Sequence, residues 1–343
     1  MNSDLALELE RRWKQQEEYL GPNKPVHGIL PLVSVSVPTY QHEGYIAACL
    51  DGILMQQADF PFEIIVGEDE SVDGTRAVCV SYADRYPDKI RLFLRSRLLS
   101  TWQDGGVTRR LNGIWCRRSS RGKYIAMCEG DDCWTDPHKL QRQVDTLRSN
   151  PQATLCCHRV KKGRYIGDPE AITYPDGPRP ATAGLDEVLD ENWIPTCSML
   201  MTREIAVAPL PNWAKNLPFG DWPLQLMAAQ GGQVCFLDSI MGFYRVHGGG
   251  AWSGLAQVRK IQDVLSFYAA IKSEVPRDSW IRVARPRVGA LRRELVRALV
   301  EAGERRNAKR EVWRALQEDP VEFGAELYRW AGAFARACGF RRG

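Results

Sequence analysis

Glu129, Asp131 and Asp132 stand within four consecutive positions, at the end of the segment GKYIAMCEGDD. Carboxylates crowded in this way repel one another unless a positive charge lies among them. A divalent cation removes the repulsion. Mg²⁺ or Mn²⁺ held by one or two carboxylates keeps positions open for substrate phosphates. The plainer alternative is that the acids face water and help to start the next helix, and a bare acid-x-acid triplet does not decide between the two. A second acidic turn contains Glu68, Asp69, Asp73, Gly74 and Thr75. It suits a nucleobase N–H received beside an aromatic ring, which Tyr40 would supply, or a solvated turn with a helix cap. Asp221, in FGDWPL, is either a general base or an acid placed favourably in a first helical turn. Arg245 and His247 precede three glycines, a composition that suits a diphosphate or a metal but also an ordinary surface turn. Trp252 beyond them reads as a packing residue.

These residues need elements to position them. Leu32 to Tyr40 reads as a strand ending at Pro38, and residues 46–54 carry apolar positions at helical spacing. Phe62 to Val66 is a second short apolar run. DGTRAVCVSYADRYP is a helix with Asp73 or Thr75 at its start, and IRLFLRS is a third strand. Alternating strand and helix predict a parallel sheet covered by helices, with ligands beyond the carboxyl ends of the strands. Tyr124 to Cys128 forms another buried strand. Asp136 and Pro137 predict the start of a helix reaching about Leu147. Residues 160–195 read as loop with one short helix, PTCSMLMTRE and VCFLDSIMGFYRVH as further strand, and everything after about 255 as helix. Three divisions result: a helix and linker over 1–30, an α/β domain over 31–254, and a basic helical extension over 255–343.

The chain has 343 residues, with 46 Lys and Arg against 42 Asp and Glu. So small a surplus gives no general case for nucleic acid as a partner. The charge is uneven, because Ala251 onward holds 19 basic and 11 acidic residues. That tail reads either as helices packing on the domain or on a second copy of the chain, or as an interfacial surface for anionic lipid. The sequence has no apolar run long enough to span a bilayer and its N-terminus has no signal-peptide pattern, which predicts a cytoplasmic protein, with the inner membrane's cytoplasmic face as the place for any lipid contact. The 10 cysteines are scattered and read as reduced, buried thiols.

Taken in order, PTY, EDESVDGT, GKYIAMCEGDDCW with its DP-K-Q helix, GDWPL and YRVHGGGAWS resemble the family-2 glycosyltransferases. The resemblance runs from about Leu32 to Ser253, and EGDD-x-W-TDP is most similar to bacterial members that build surface polysaccharides such as O-antigen, capsule or exopolysaccharide. It implies the GT-A fold, a mostly parallel mixed sheet flanked by helices, and an inverting transfer from a nucleotide-sugar donor (UDP-, dTDP- or GDP-linked) to a glycan or lipid-linked glycan hydroxyl, with Mg²⁺ or Mn²⁺ as cofactor. Position by position, Thr39, Tyr40 and Asp69 would face the nucleotide. Glu129 and Asp131 fall on the metal-binding motif, with Asp132 supporting the turn or the donor sugar. Asp221 would be the catalytic base, Arg245 would contact the diphosphate, and His247 would join the metal. Arg109 and Arg110 lie in the region expected to select the donor.

The chain departs from the family pattern at Glu129, a longer acid than the usual Asp, and at Glu68 and Glu70, which replace an Asp and a Gly. Three other classes fit the residues less well. A nucleotidyltransferase would need a Gly-rich basic loop after the first strand, where PTYQHEGYIAAC stands. A dehydrogenase would need G-x-G-x-x-G there. A binding-only relative would be expected to have lost Asp131 or Asp221.

Overall fold

The structure, a computed structural model, describes residues 8, 10–22, 30–104, 107–250, 252–320, 330, 331 and 335, with the backbone alone at 104, 107 and 109. The chain divides into two compact units. One comprises 1–188, 192–212 and 218–246; the other comprises 189–191, 213–217 and 247–343.

The first unit is built on one mixed sheet. Its strands are β1 (Glu17–Tyr19), β2 (Val33–Thr39), β3 (Phe62–Glu68), β4 (Ile90–Leu94), β7 (Tyr124–Met127), β8 (Cys133–Trp134), β9 (Ala153–Gly163), β10 (Ile172–Tyr174), β11 (Thr182–Ala183), β12 (Leu200–Thr202) and β13 (Gln233–Arg245). The order is β1-β4-β3-β2-β7-β12-β9-β13-β11, with β10 on β9 and β8 on β13. β5 (Thr101–Asp104) and β6 (Val107–Arg110) form a separate hairpin. The β4-β3-β2-β7 core is parallel, as strand–helix alternation requires, and β13 runs parallel to β9. The remaining pairings are antiparallel.

Helices α1 (Ile46–Leu54), α2 (Thr75–Arg85), α3 (Asn112–Ser119), α4 (Lys139–Ser149) and α5 (Asp221–Gly231) flank the sheet. Ile46, Cys49, Leu50 and Ile53 of α1 bury against Val33, Val35 and Val37 of β2 and Ile64 and Val66 of β3. Leu140, Val144 and Leu147 of α4 join the same cluster. Alternate residues of a strand face opposite ways, so Ile65 and Phe93 instead meet Cys116 of α3 on the other face. All nine described cysteines are free and buried.

Two details differ from the sequence reading. The 1–30 segment is not only helix and linker, because Glu17–Tyr19 adds an edge strand antiparallel to β4. Side chains hold this weak strand former in place. Arg91 pairs with Glu18 at 2.7 Å, and the Tyr19 hydroxyl donates to Asp84 at 3.1 Å. In addition, α4 starts at Lys139 rather than at Pro137. Asp136 Oδ1 accepts the His138 N–H at 2.8 Å just ahead of it.

In the second unit, helices α6 (Gln257–Ile271), α7 (Arg285–Glu301) and α8 (Arg305–Glu318) pack together. The last segment of this unit begins at 247, and the unit also takes in 189–191 and 213–217. The Tyr268 hydroxyl donates to the carbonyls of Leu189 and Asp190 at 2.8 Å, and Phe267 meets Trp213 edge-on with centroids 6.2 Å apart. No local sequence signal marks such long-range ties. Among the described residues no helix is long and apolar enough to cross a membrane.

Candidate functional site

Register gathers the candidate residues. Thr39 pairs with Glu68 and Glu68 with Leu94, while Ser36 pairs with Met127. The turns after β2, β3, β4 and β7 therefore open on the same edge of the sheet, the carboxyl edge where open α/β sheets bind ligands.

After β7 comes the acidic turn. Backbone hydrogen bonds tie the 129–132 turn in place: Gly130 N donates to Pro38 O at 3.1 Å and Asp132 N to Glu129 O at 2.9 Å. A Cβ at Gly130 would lie 2.5 Å from Thr39 Oγ1 and 2.9 Å from His42 Nδ1, so only glycine permits this approach. Burial, then the charges of Asp132, Asp131 and Asp221, hold the Glu129 carboxyl well above the usual range, with Arg117 opposing. Asp132 is likewise raised, by burial first and then by Asp131. Its Oδ1 accepts the Arg245 N–H at 2.8 Å. Asp132 therefore braces the turn against the end of β13.

Arg245 completes that brace. It follows the pairing of Phe243 with Cys133, so β13 ends beside the acids. Its Nε donates to Asp131 O at 2.8 Å and its Nη1 to Arg164 O at 3.1 Å. The guanidinium also lies 4.6 Å from the Tyr45 ring centroid. These bonds hold the acidic turn and leave Arg245 a positioning residue as well as a local positive charge. His247 opens the last segment of the second unit, and its carbonyl accepts from Ser253 Oγ at 2.9 Å.

After β3, Asp69 is buried beside Tyr40. Burial pushes its carboxyl upward, while the hydrogen bond from Ser100 and the charges of Arg97, Arg110 and Arg95 act the other way. Arg97 Nη1 donates to Asp69 Oδ2 at 2.9 Å, and its guanidinium carbon lies 3.3 Å from the Tyr40 ring centroid. Ser100 Oγ donates to Asp69 Oδ1. Arg97 and Ser100 were not legible as site residues, since each is an isolated polar residue in a loop. Arg110 donates to Thr101 across the hairpin; the Arg109 side chain lies outside the described residues.

Asp221 opens α5, directly after Gly220. Trp222 and Gln225 anchor the helix through Val188 O at 2.8 Å and Ile194 O at 3.0 Å. Asp221 Oδ2 accepts two long hydrogen bonds, from Asn192 Nδ2 at 3.4 Å and Thr196 Oγ1 at 3.5 Å. Its negative charge is one of those that raise the Glu129 carboxyl.

His42 is a site residue that sequence reasoning missed. Its Nδ1 lies 3.2 Å from Thr39 Oγ1 and its Nε2 3.8 Å from Asp131 Oδ2. A lone histidine after a strand has no spacing partner to reveal it. The donor set fits a hard or borderline divalent cation: the Asp131 carboxylate and the His42 imidazole come within 3.8 Å of each other, and burial of mutually repelling acids calls for positive charge.

The model of the family described as Glycosyl transferase family 2 matches residues 34–204. An uncharacterised protein of Mycobacterium tuberculosis is 34% identical over 232 residues, covering 65% of this chain and 60% of that protein. The alignment thus spans less than two thirds of that relative's length. A Nostoc protein named only as an uncharacterised glycosyltransferase is 24% identical over 240 residues, covering 68% of this chain and 70% of its own. Among solved structures, a mannosyltransferase from Pyrobaculum calidifontis, in complex with GDP-Man and Mn²⁺, has a TM-score of 0.53 at 17% identity and covers 98% of this chain and 94% of its own. S. aureus TarS 1-349 in complex with UDP-GlcNAc has a TM-score of 0.50 at 14% identity, covering 89% and 80%. The likeness of fold is to GT-A proteins.

Proposed function

Because the chain belongs to glycosyl transferase family 2, we propose that it transfers a sugar from a nucleotide-sugar donor to a hydroxyl acceptor with inversion at the anomeric carbon. The observation that carries this reading is the convergence of Thr39, Asp69 and the 129–132 turn on one sheet edge, within electrostatic reach of Asp221. A nucleotide diphosphate would lie along that edge. Asp69 would accept a base N–H. Both its oxygens already receive a donor, but a carboxylate offers about four lone-pair sites. The base would meet the face of Tyr40 opposite Arg97, which already stacks on the ring.

Glu129 and Asp131 would hold the cation, Mg²⁺ or Mn²⁺, which supplies Lewis-acid stabilisation of the departing diphosphate. Arg245 and Asp132 keep the turn in place. Asp221 takes the proton of the acceptor hydroxyl as its oxygen bonds to the anomeric carbon. The bond from that carbon to the diphosphate breaks, and its electron pair leaves with the nucleotide. A carboxylate is a weak base toward a sugar hydroxyl, so the proton moves late. Two long hydrogen bonds hold Asp221 only loosely, and its own helix fixes its position. The anomeric configuration of the product, read by NMR, tests the inversion: an α-linked donor should give a β-linked product, and retention would overturn the reading.

A role in bacterial surface polysaccharide synthesis, on a lipid-linked glycan acceptor, accords with the EGDD-x-W-TDP stretch. The exposed side of α8 accords with such an acceptor. Arg305, Arg306, Lys309, Arg310 and Arg314 are exposed there around Trp313, which is 57% exposed. Its inner side buries Ala308, Val312 and Ala315 within the helical unit. Cations around an exposed indole suit an anionic lipid surface.

A further inference from the structure

We propose that His42 is a direct ligand of the catalytic cation, sharing it with Asp131, and that this imidazole makes Mn²⁺ the preferred ion over Mg²⁺. The inference rests on the reading of the acidic turn as a metal site and names a ligand and an ion for it.

The distance from His42 Nε2 to Asp131 Oδ2 is 3.8 Å. That is beyond hydrogen-bond range, since N–H···O contacts lie at about 2.7–3.2 Å. Two atoms ligating one ion at about 2.1 Å each lie about 3.0 Å apart at a right angle and at most about 4.2 Å apart. The observed separation falls inside this window. Both atoms can therefore reach one ion lying between them.

The ring is held in place from several sides. His42 N donates to Thr75 Oγ1 at 2.8 Å, and Thr75 Oγ1 donates to Asp73 Oδ1 at 2.6 Å. His42 O accepts from Tyr45 N at 2.8 Å and Ile46 N at 2.9 Å, at the start of α1. The ring lies 6.3 Å from the Tyr45 ring, and Gly130 packs against its Nδ1. Metal-bound histidines donate the other ring N–H to an oxygen, which fixes tautomer and orientation. Thr39 Oγ1, 3.2 Å from Nδ1, is placed to accept that proton and to leave the Nε2 lone pair toward Asp131. An imidazole nitrogen beside a carboxylate oxygen favours a first-row transition ion such as Mn²⁺ over Mg²⁺, which binds through carboxylates, phosphates and waters.

The test is Mn²⁺ binding to the full chain, with UDP or GDP present, followed by electron paramagnetic resonance. Pulsed spectra of the wild type should show coupling to a directly bound ¹⁴N, and His42→Gln should lose it. Mn²⁺ affinity should fall about 10- to 100-fold in that variant, with a smaller change for Mg²⁺. Circular dichroism confirms that the variant is folded. Mn²⁺ bound without nitrogen coupling, or coupling that persists in His42→Gln, overturns the proposal and leaves the metal reading intact. Absence of Mn²⁺ binding in the wild type, with no difference from Asp131→Asn, overturns both.

Discussion

Asp131 and Asp221 hold different parts of the proposed chemistry, so their variants should fail differently. Asp221→Asn should lower turnover about 10²- to 10⁴-fold, the usual worth of a general base, with donor affinity unchanged by calorimetry. Equal turnover would remove Asp221 from the role of base. Asp131→Ala should instead weaken metal-dependent donor binding itself. The sequence made these acids legible because each is a charged residue in a turn between a buried strand and a helix. It left Asp132 between supporting the turn and meeting the donor sugar, since the hydrogen bond from Arg245 N comes from a residue over a hundred positions away. Nor did it reveal His42 or Arg97, which acquire meaning only from what the fold places opposite them.

The elements that carry these residues make their own predictions. Gly130→Ala should cost about 1–3 kcal/mol of stability and reduce metal affinity, because its methyl would displace Thr39 from the turn. Unfolding in urea and Mn²⁺ titration would read the two effects. His158 in β9 is fully buried; its Nδ1 lies 2.7 Å from Arg159 O and its buried Nε2 has no hydrogen-bond partner among the described residues. Burial, aided by Lys139, pushes its pKa down to about 3. The unfolded ring, near 6.5, takes up a proton that the folded ring refuses, so its contribution to stability is intact above about pH 6.5 and declines as pH falls toward the folded value. The loss is about 1.4 kcal/mol per pH unit. Comparing wild type with His158→Gln at about pH 7.5 and about pH 5 isolates this ring, and the variant should lose less stability. Equal losses would contradict it. The strand–helix alternation of the core was legible because apolar spacing follows the period of each element. Strand β1 and the hairpin of 101–110 were not, since polar contacts with the rest of the unit hold β1 and its sequence has little strand propensity.

For the whole molecule, the exposed basic side of α8 should bind vesicles containing about 30% anionic lipid, with attraction of about 1 kcal/mol per cation near the surface. Co-sedimentation should weaken in high salt, and should fall more than about 10-fold when Arg306, Lys309 and Arg310 become Glu. Equal binding to neutral vesicles, or dimerisation through this side in sedimentation, would contradict the lipid role. Composition gave the basic tail, but the unit's true extent depends on Tyr268 and Phe267 reaching segments far back in the chain, which no local texture records.

The most direct test of the central claim is release of nucleoside diphosphate from a panel of UDP-, dTDP- and GDP-sugars, with Mn²⁺, Mg²⁺ or a chelator, for the wild type and Asp131→Ala. Slow hydrolysis of a donor proceeds without its acceptor, so the assay does not require the acceptor to be known. The account predicts release from one donor that needs the cation and is lost in Asp131→Ala. Release that persists with chelator and in Asp131→Ala, or no release together with no metal-dependent nucleotide binding, would contradict it.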